Sequence, residues 1–241
     1  MKKVICAIIL VVLSAIFAAS TYLYISGYLQ DKKQINEFEN IAQVVDDDEQ
    51  NLTNKYAELY SQNNDFIGWI KIDGTSIDYP VMQSKNNPNY YLKHNFNKEY
   101  SRFGVPYMQE DCNLQSDNIV IYGHNMKNKS MFNELTRYKD KDFYNAHKYI
   151  TFETMSESRT YEIIAAFKTV AYSENGFKYY NFVNANTEKE YETYIEKCRS
   201  LSSYDTGVDA EYSDKLITLS TCEYSQNNGR FVVVAKLIEV K

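Results

Sequence analysis

The chain has 241 residues and a formal net charge of −6, room for one sizeable domain with an appendage and the wrong sign for a nucleic-acid binder. Tyrosine is frequent at 23 while glycine (8) and proline (3) are scarce, which suits a β-rich domain with polar, aromatic surfaces better than a disordered chain. Four cysteines without a CxxC pair and 3 histidines argue against a zinc site, and no metal or other cofactor is expected.

Met1-Lys2-Lys3 precedes Val4 to Ser26, a stretch without charge, and the next charged residue is Asp31. An apolar run of about 20 residues matches the hydrocarbon thickness of a bilayer. Lysines ahead of it favour a cytoplasmic N-terminus and an exported remainder. Residues 1–29 therefore read as a cytoplasmic stub and a transmembrane signal-anchor, giving a single-pass protein of the cell membrane with an extracellular domain. The competing reading is a cleaved signal peptide, with Ala18-Ala19-Ser20 as its site, but the run is long for such a segment. Export leaves Cys112, Cys198 and Cys222 outside, so at least one thiol stays out of any intrachain pairing. Cys112 and Cys198 are expected to be free.

Gln30 to about Asn63 reads as two helices that pack on the domain, from Ile35, Phe38, Ile41, Ala42 and Val45 and then Leu52, Tyr56, Leu59 and Tyr60 at helical spacing. Asp46-Asp47-Asp48-Glu49 between them reads as a loop and an acidic first turn. From Asp65 the pattern changes to strands. Phe66 to Ile72 and Ile77 to Met82 flank the turn signal Asp73-Gly74-Thr75-Ser76. Pro80 lacks an N–H, so its strand should be an edge or carry a bulge. A short helical or loop segment at Asn89 to His94 precedes a strand near Phe103 to Met108. Asn118 to Tyr122 is a compact apolar strand that Gly123-His124-Asn125 leaves at a turn, and Ser130 is placed to cap a helix through Met131, Phe132, Leu135 and Tyr138.

Lys148 to Glu153 and Arg159 to Val170 read as further strands. A polar segment from Ser173 to Asn186 carries Phe177, Tyr179, Tyr180 and Phe182. Thr187-Glu188-Lys189-Glu190 is a capping box, and Tyr191, Tyr194, Ile195, Cys198 and Leu201 form the stripe of the helix it starts. Leu216 to Thr221 reads as a strand, Glu223 to Gly229 as a turn-rich break, and Phe231 to Val240 as the returning strand. About eight short strands with few helices point to a mainly β, closed or nearly closed barrel.

If that last hairpin pairs symmetrically about Ser225-Gln226-Asn227, Cys222 and Arg230 face each other across it. A thiol opposite a fixed positive charge can serve as a nucleophile; a buried structural cysteine beside a surface arginine fits the hairpin equally well. A thiol nucleophile needs a base, and the candidates are His94, His124 and His147. His147 sits in a polar loop, and His94 in a tyrosine-rich segment. His124 leaves an apolar strand beside a glycine, where a side chain can be aimed into a cleft.

His124 after a strand, Thr218-Leu-Ser-Thr-Cys222 ending a late strand and Arg230 starting the next resemble the catalytic set of the sortases, membrane-anchored cysteine transpeptidases of Gram-positive bacteria. The paired N-terminal helices, Asp65-Phe-Ile-Gly-Trp-Ile70 and the helix of Thr187 to Leu201 resemble class B in particular. The likeness covers nearly the whole chain. It implies a closed eight-stranded sortase-type β-barrel with two N-terminal helices and a long helix before the nucleophile strand, with residues 30–64 as the helical segment and 65–241 as the catalytic barrel.

The resemblance also implies a chemistry. Cys222 attacks the Thr carbonyl of an NPxTx-like C-terminal sorting signal and forms a thioester. His124 serves as acid and then base, and Arg230 donates to the oxyanion or positions the substrate backbone. The Glu223 N–H is a second oxyanion donor. Leu92, Tyr122, Tyr180, Ser220, Thr221 and the Glu223 side chain contact the signal. The implied partners are surface proteins bearing the signal, a lipid II-type peptidoglycan precursor or cross-bridge amine, and the membrane. The alternatives are a pilin-polymerising sortase and, from another class, a non-catalytic membrane-anchored surface binding protein. The Cys-Gly-Ser-Cys-Trp signature of papain-like proteases and the Ser-His-Gly-Cys motif of L,D-transpeptidases are absent.

Overall fold

The computed structural model describes residues 2–46 and 52–241. The chain divides into two compact units, Met1–Ile41 and Ala42–Lys241. Helix α1 (Lys2–Asp46) is unbroken, so the first of the two expected helices is the continuation of the apolar span. No proline interrupts this stretch, and the isolated Gly27 costs a helix only about 1 kcal/mol. By length and composition α1 contains a segment apolar enough to cross a bilayer. Of the acidic run, Asp46 ends α1 and Asp47-Asp48-Glu49 lies outside the described residues.

The second unit opens with α2 (Leu52–Gln62) and continues with β1 (Phe66–Lys71), β2 (Asp78–Met82), β3 (Tyr107–Met108), β4 (Asn118–Tyr122), α3 (Lys141–Ala146), β5 (Tyr149–Glu153), β6 (Ser158–Val170), α4 (Glu188–Leu201), β7 (Leu216–Cys222) and β8 (Gly229–Val240). The strands close in the order β1-β2-β3-β4-β7-β8-β6-β5, which is the barrel the sequence led us to expect. Only β2–β3 and β4–β7 pair in parallel. Both β4 and β7 are buried up to their last residue, which explains why β4 reads as a compact apolar run; β7 carries Thr218, Ser220 and Thr221 within the buried wall.

A buried amide pins those two strands together. Asn118 Nδ2 donates to Phe182 O at 2.8 Å, and Asn118 Oδ1 accepts from Thr218 Oγ1 at 2.8 Å. Sliding β4 against β7 would leave these groups unpaired inside the wall, at about 1–3 kcal/mol for each. The register is thereby specified by polar groups as well as by apolar pattern.

Three local expectations change. β2 lies between two strands and is not an edge, yet β3 meets it only at Met82, so Pro80 has β1 as its one strand neighbour, and β1 carries the bulge between Phe66 and Gly68. The strand foreseen from Phe103 shrinks to Tyr107–Met108 because Gly104 turns at φ 57° and Pro106 follows. Ser130 caps no helix: its Oγ donates to Asn128 Oδ1 at 2.7 Å. The 3₁₀ helix Asn133–Lys139 instead begins after Phe132 without a side-chain cap.

Helix α4 starts as foreseen, Thr187 Oγ1 accepting from Glu190 N at 3.2 Å, and buries Tyr191, Tyr194, Ile195 and Cys198. Helix α2 lies against the barrel through Tyr56, whose ring stacks on Trp69 with centroids 6.5 Å apart. Its Oη donates to Glu153 Oε2 at 2.5 Å, beside Lys55 Nζ at 2.9 Å. Burial alone would raise the Glu153 carboxyl, but these donors outweigh it and hold the group below its ordinary value. A carboxylate lowered in the folded state stabilises above its unfolded pKa, and that contribution vanishes as pH falls through the folded value. The urea midpoint should therefore drop on acidification, and Glu153→Gln should flatten that drop while lowering the midpoint at neutral pH.

Candidate active site

Parallel pairing makes β4 and β7 leave the barrel at one rim, with Tyr122 beside Ser220. The chain past β4 is stitched to β7: Gly123 N donates to Ser220 O at 3.0 Å, and Thr221 Oγ1 donates to Gly123 O at 2.8 Å. A Cβ on Gly123 would come within 2.6 Å of the Phe132 ring, so glycine alone lets the turn lie this close. His124 follows at once. Antiparallel pairing then sets Arg230 of β8 directly opposite Cys222 of β7.

The three side chains line one cleft of about 630 Å³, together with Leu92, Tyr122, Tyr180, Ser220 and Thr221. Glu223 is the exception among the residues singled out from sequence. Its carboxylate accepts from Lys168 Nζ at 3.0 Å and from Ser225 Oγ at 2.5 Å. The Glu223 N–H donates to Gly229 O at 2.9 Å. That bond closes the hairpin one step beyond the Cys222–Arg230 pair, so the donor foreseen for an oxyanion is committed to the ladder.

Leu92 does more than line the wall. Its main-chain O lies 2.7 Å from His124 Nε2. A carbonyl can only accept, so Nε2 carries the hydrogen and Nδ1 is the ring nitrogen left to exchange a proton. The other two imidazoles stand elsewhere. His94 stacks on Tyr90 with centroids 3.9 Å apart, and His147 Nδ1 lies 2.8 Å from Asp73 O. Neither lines the cleft.

The cysteines divide as sharply. Cys222 is half-buried at the rim, whereas Cys112 and Cys198 are buried. Burial pushes the Cys112 thiol up to about 12 and raises that of Cys198 as well. Arg230 Nη1 donates to Gly229 O at 2.9 Å, and among the described residues no carboxylate pairs with it. A guanidinium held at one nitrogen and otherwise uncommitted suits an oxygen that gains charge during reaction.

Among the residues of this cleft that sequence reasoning missed are Tyr179 and Gln109. Tyr179 is buried, and its Oη shares a 2.5 Å hydrogen bond with Ser220 Oγ. Burial pushes its phenol up to about 12, and raises those of Tyr122 and Tyr107 too, so these tyrosines stay protonated at neutral pH. Gln109 Oε1 accepts from the Tyr122 hydroxyl, while its Nε2 donates to Tyr180 O at 2.9 Å and Asp111 Oδ1 at 2.7 Å. Tyr179 sat in the aromatic segment already noted. Gln109 had no local signal, because its importance lies in contacts with residues far along the chain.

A closed barrel that carries a half-exposed thiol, an imidazole and a guanidinium in one cleft is the architecture of a cysteine acyl transferase of the sortase type. The family model described as Sortase domain matches residues 70–238. Sortase B of Staphylococcus aureus is 31% identical over 241 residues, covering 97% of this chain and 95% of that protein. Sortase B of Listeria monocytogenes is 36% identical over 195 residues, covering 78% and 75%. Among solved structures, a Staphylococcus aureus sortase B–substrate complex superposes with a TM-score of 0.78 at 29% identity, covering 88% of this chain and 99% of that one. The chain belongs to the sortase family of cysteine transpeptidases, in its class B.

The contrast among the thiols gives a direct test. Brief iodoacetamide treatment of the folded chain, read by peptide mass mapping, should label Cys222 and leave Cys112 and Cys198 unmodified until denaturant is added.

Proposed function

We propose that this chain cleaves an NPxTx-like C-terminal sorting signal between Thr and the next residue and transfers the protein so released to an amine of a cell-wall precursor. The observation that carries the reading is the presence of Cys222, His124 and Arg230 in a single cleft. The Cys222 sulfur, as thiolate, adds to the Thr carbonyl carbon. Arg230 donates to the oxygen that becomes negative, or holds the substrate backbone. Collapse of the adduct breaks the C–N bond, and His124 supplies the proton that the departing amine takes up, leaving a thioester on Cys222. The accepting amine then attacks the thioester carbonyl and gives its proton to His124, and collapse breaks the C–S bond and regenerates the Cys222 thiolate.

The same proposal assigns Leu92, Tyr122, Tyr180, Ser220 and Thr221 to the signal peptide. Three of these act with hydroxyls already engaged inside the wall, Tyr122 with Gln109, Ser220 with Tyr179 and Thr221 with Gly123, so their contribution is shape. Residues 1–29 serve as cytoplasmic stub and membrane anchor, 30–64 as a helical segment and 65–241 as the catalytic barrel outside the cell. Support for the anchor is the apolar segment of α1. The accepting group is a lipid II-type or cross-bridge amine. Transfer to a pilin lysine is the other outcome of the same chemistry, and a panel of amines separates them.

The test is cleavage of sorting pentapeptides by the domain lacking residues 1–26, with glycine peptides, diaminopimelate and lysine peptides as acceptors. Cys222→Ala should abolish cleavage with the unfolding temperature kept. His124→Ala should lower turnover by about 10²–10⁴-fold. For Arg230→Lys, which keeps the charge and loses the planar fork, about 10²-fold is expected. Wild-type turnover in the lysine variant would remove Arg230 from the mechanism.

A further inference from the structure

We infer that Asn125 is a positioning residue for the His124–Cys222 pair, its side-chain amide locking the loop that bears the imidazole to the strand end that bears the thiol. The inference rests on the transpeptidase reading above. Asn125 does not line the cleft, so whatever it contributes passes through its neighbours.

Three of its groups are engaged at once. Asn125 Nδ2 donates to the main-chain O of Cys222 at 2.8 Å. Asn125 Oδ1 accepts from Asn133 Nδ2 at 2.6 Å. Its main-chain O accepts from Tyr224 Oη at 2.9 Å. Two further links tie the same loop to the 3₁₀ helix behind it: Phe132 N donates to His124 O at 2.8 Å, and Asn125 forms an isolated bridge with Met131. The residue after the imidazole is thus fastened to the residue that carries the sulfur on one side and to the segment before Asn133–Lys139 on the other.

The need for such a fastening follows from where the ladder stops. β4 ends at Tyr122, and the bonds of Gly123 to Ser220 and Thr221 are the last that belong to the sheet edge. Beyond Gly123 the loop has left the ladder, and it is Asn125 and Tyr224 that return it to β7. The imidazole itself is held on its far side by Leu92 O. That contact fixes which nitrogen carries hydrogen and lets the ring swing about it unless the backbone at 124 and 125 is held too. Proton exchange between a sulfur, a ring nitrogen and a departing amine tolerates little error, since a displacement of about 1 Å costs about 10²-fold.

The amide is specific in its orientation. Its NH₂ must face the Cys222 carbonyl and its oxygen the Asn133 amide, which an asparagine can satisfy and an isosteric carboxylate cannot. Asn125→Asp keeps the acceptor for Asn133 and turns a second oxygen onto the Cys222 carbonyl, replacing attraction by repulsion at unchanged volume. Asn125→Leu removes both bonds. Tyr224→Phe removes only the bond to the main-chain O and leaves the amide in place.

The experiment uses the full chain in detergent. It measures kcat and KM on a sorting peptide that the wild type cleaves, the unfolding temperature, and the pH profile of Cys222 alkylation by iodoacetamide. Asn125→Asp and Asn125→Leu should lower kcat by about ten- to a hundredfold with KM within about twofold of wild type, the aspartate being the slower, and with a cooperative unfolding transition retained. Tyr224→Phe should lose less. The alkylation profile of both Asn125 variants should move towards that of His124→Ala. Wild-type kcat in Asn125→Asp overturns the inference, and so does a loss shared equally by KM or matched by loss of the unfolding transition. If the wild type cleaves no sorting peptide, the transpeptidase reading fails by itself. The alkylation profiles then decide: Asn125→Asp superimposed on wild type overturns the positioning role, and a profile displaced towards His124→Ala supports it.

Discussion

The active cleft depends on one pairing, the parallel contact of β4 with β7. Parallel neighbours end at the same rim, so residues 123–125 and 221–223 emerge together although about a hundred positions separate them in the chain, as the Asn125–Cys222 bond records. Had these strands run antiparallel, His124 and Cys222 would stand at opposite ends of the barrel. The β7–β8 hairpin adds Arg230 by the simpler route of a short turn. Buried polar groups guard the arrangement, because Asn118 and Thr218 are satisfied only in the observed register.

Chemical identity alone does not distinguish the residues that act. Cys112, Cys198 and Cys222 are the same thiol, and burial alone makes two of them inert. Three imidazoles are present, and a carbonyl acceptor is found beside each, yet only that of His124 opens on the cleft. What the fold supplies is therefore access and aim. Glu223 illustrates the converse: adjacent to the nucleophile in sequence, it points away to Lys168 and Ser225.

The tyrosines serve the scaffold more than the surface. Tyr91, Tyr138, Tyr179 and Tyr191 are among the largest fully buried side chains. Each sinks its ring into the core and uses its hydroxyl to hold a distant group: Asp65, His147 O, Ser220 and Asp214 O respectively. A phenol combines a large apolar body with one polar tip, so it can anchor a loop without leaving a buried polar atom unpaired. Composition pointed to aromatic surfaces, because a residue count carries no information on which way a ring faces.

Local chemistry determined a good deal. The apolar run of β4, the strand residues of β7, the cap at Thr187, the turn between Cys222 and Arg230 and the long uncharged span after Lys3 all depend on residues near one another in the chain, and each was legible there. The closed barrel followed from the number and spacing of short strands. The thiol, the imidazole and the guanidinium were recognised together through the likeness of their motifs to a known family. Tertiary structure alone decided that Leu92 O sets the tautomer of His124, that Glu223 turns outward, and that Gln109 and Tyr179 brace the wall. Those outcomes rest on hydrogen bonds between segments tens of residues apart. Their partners are fixed by strand register and barrel closure, quantities that no short window of sequence contains.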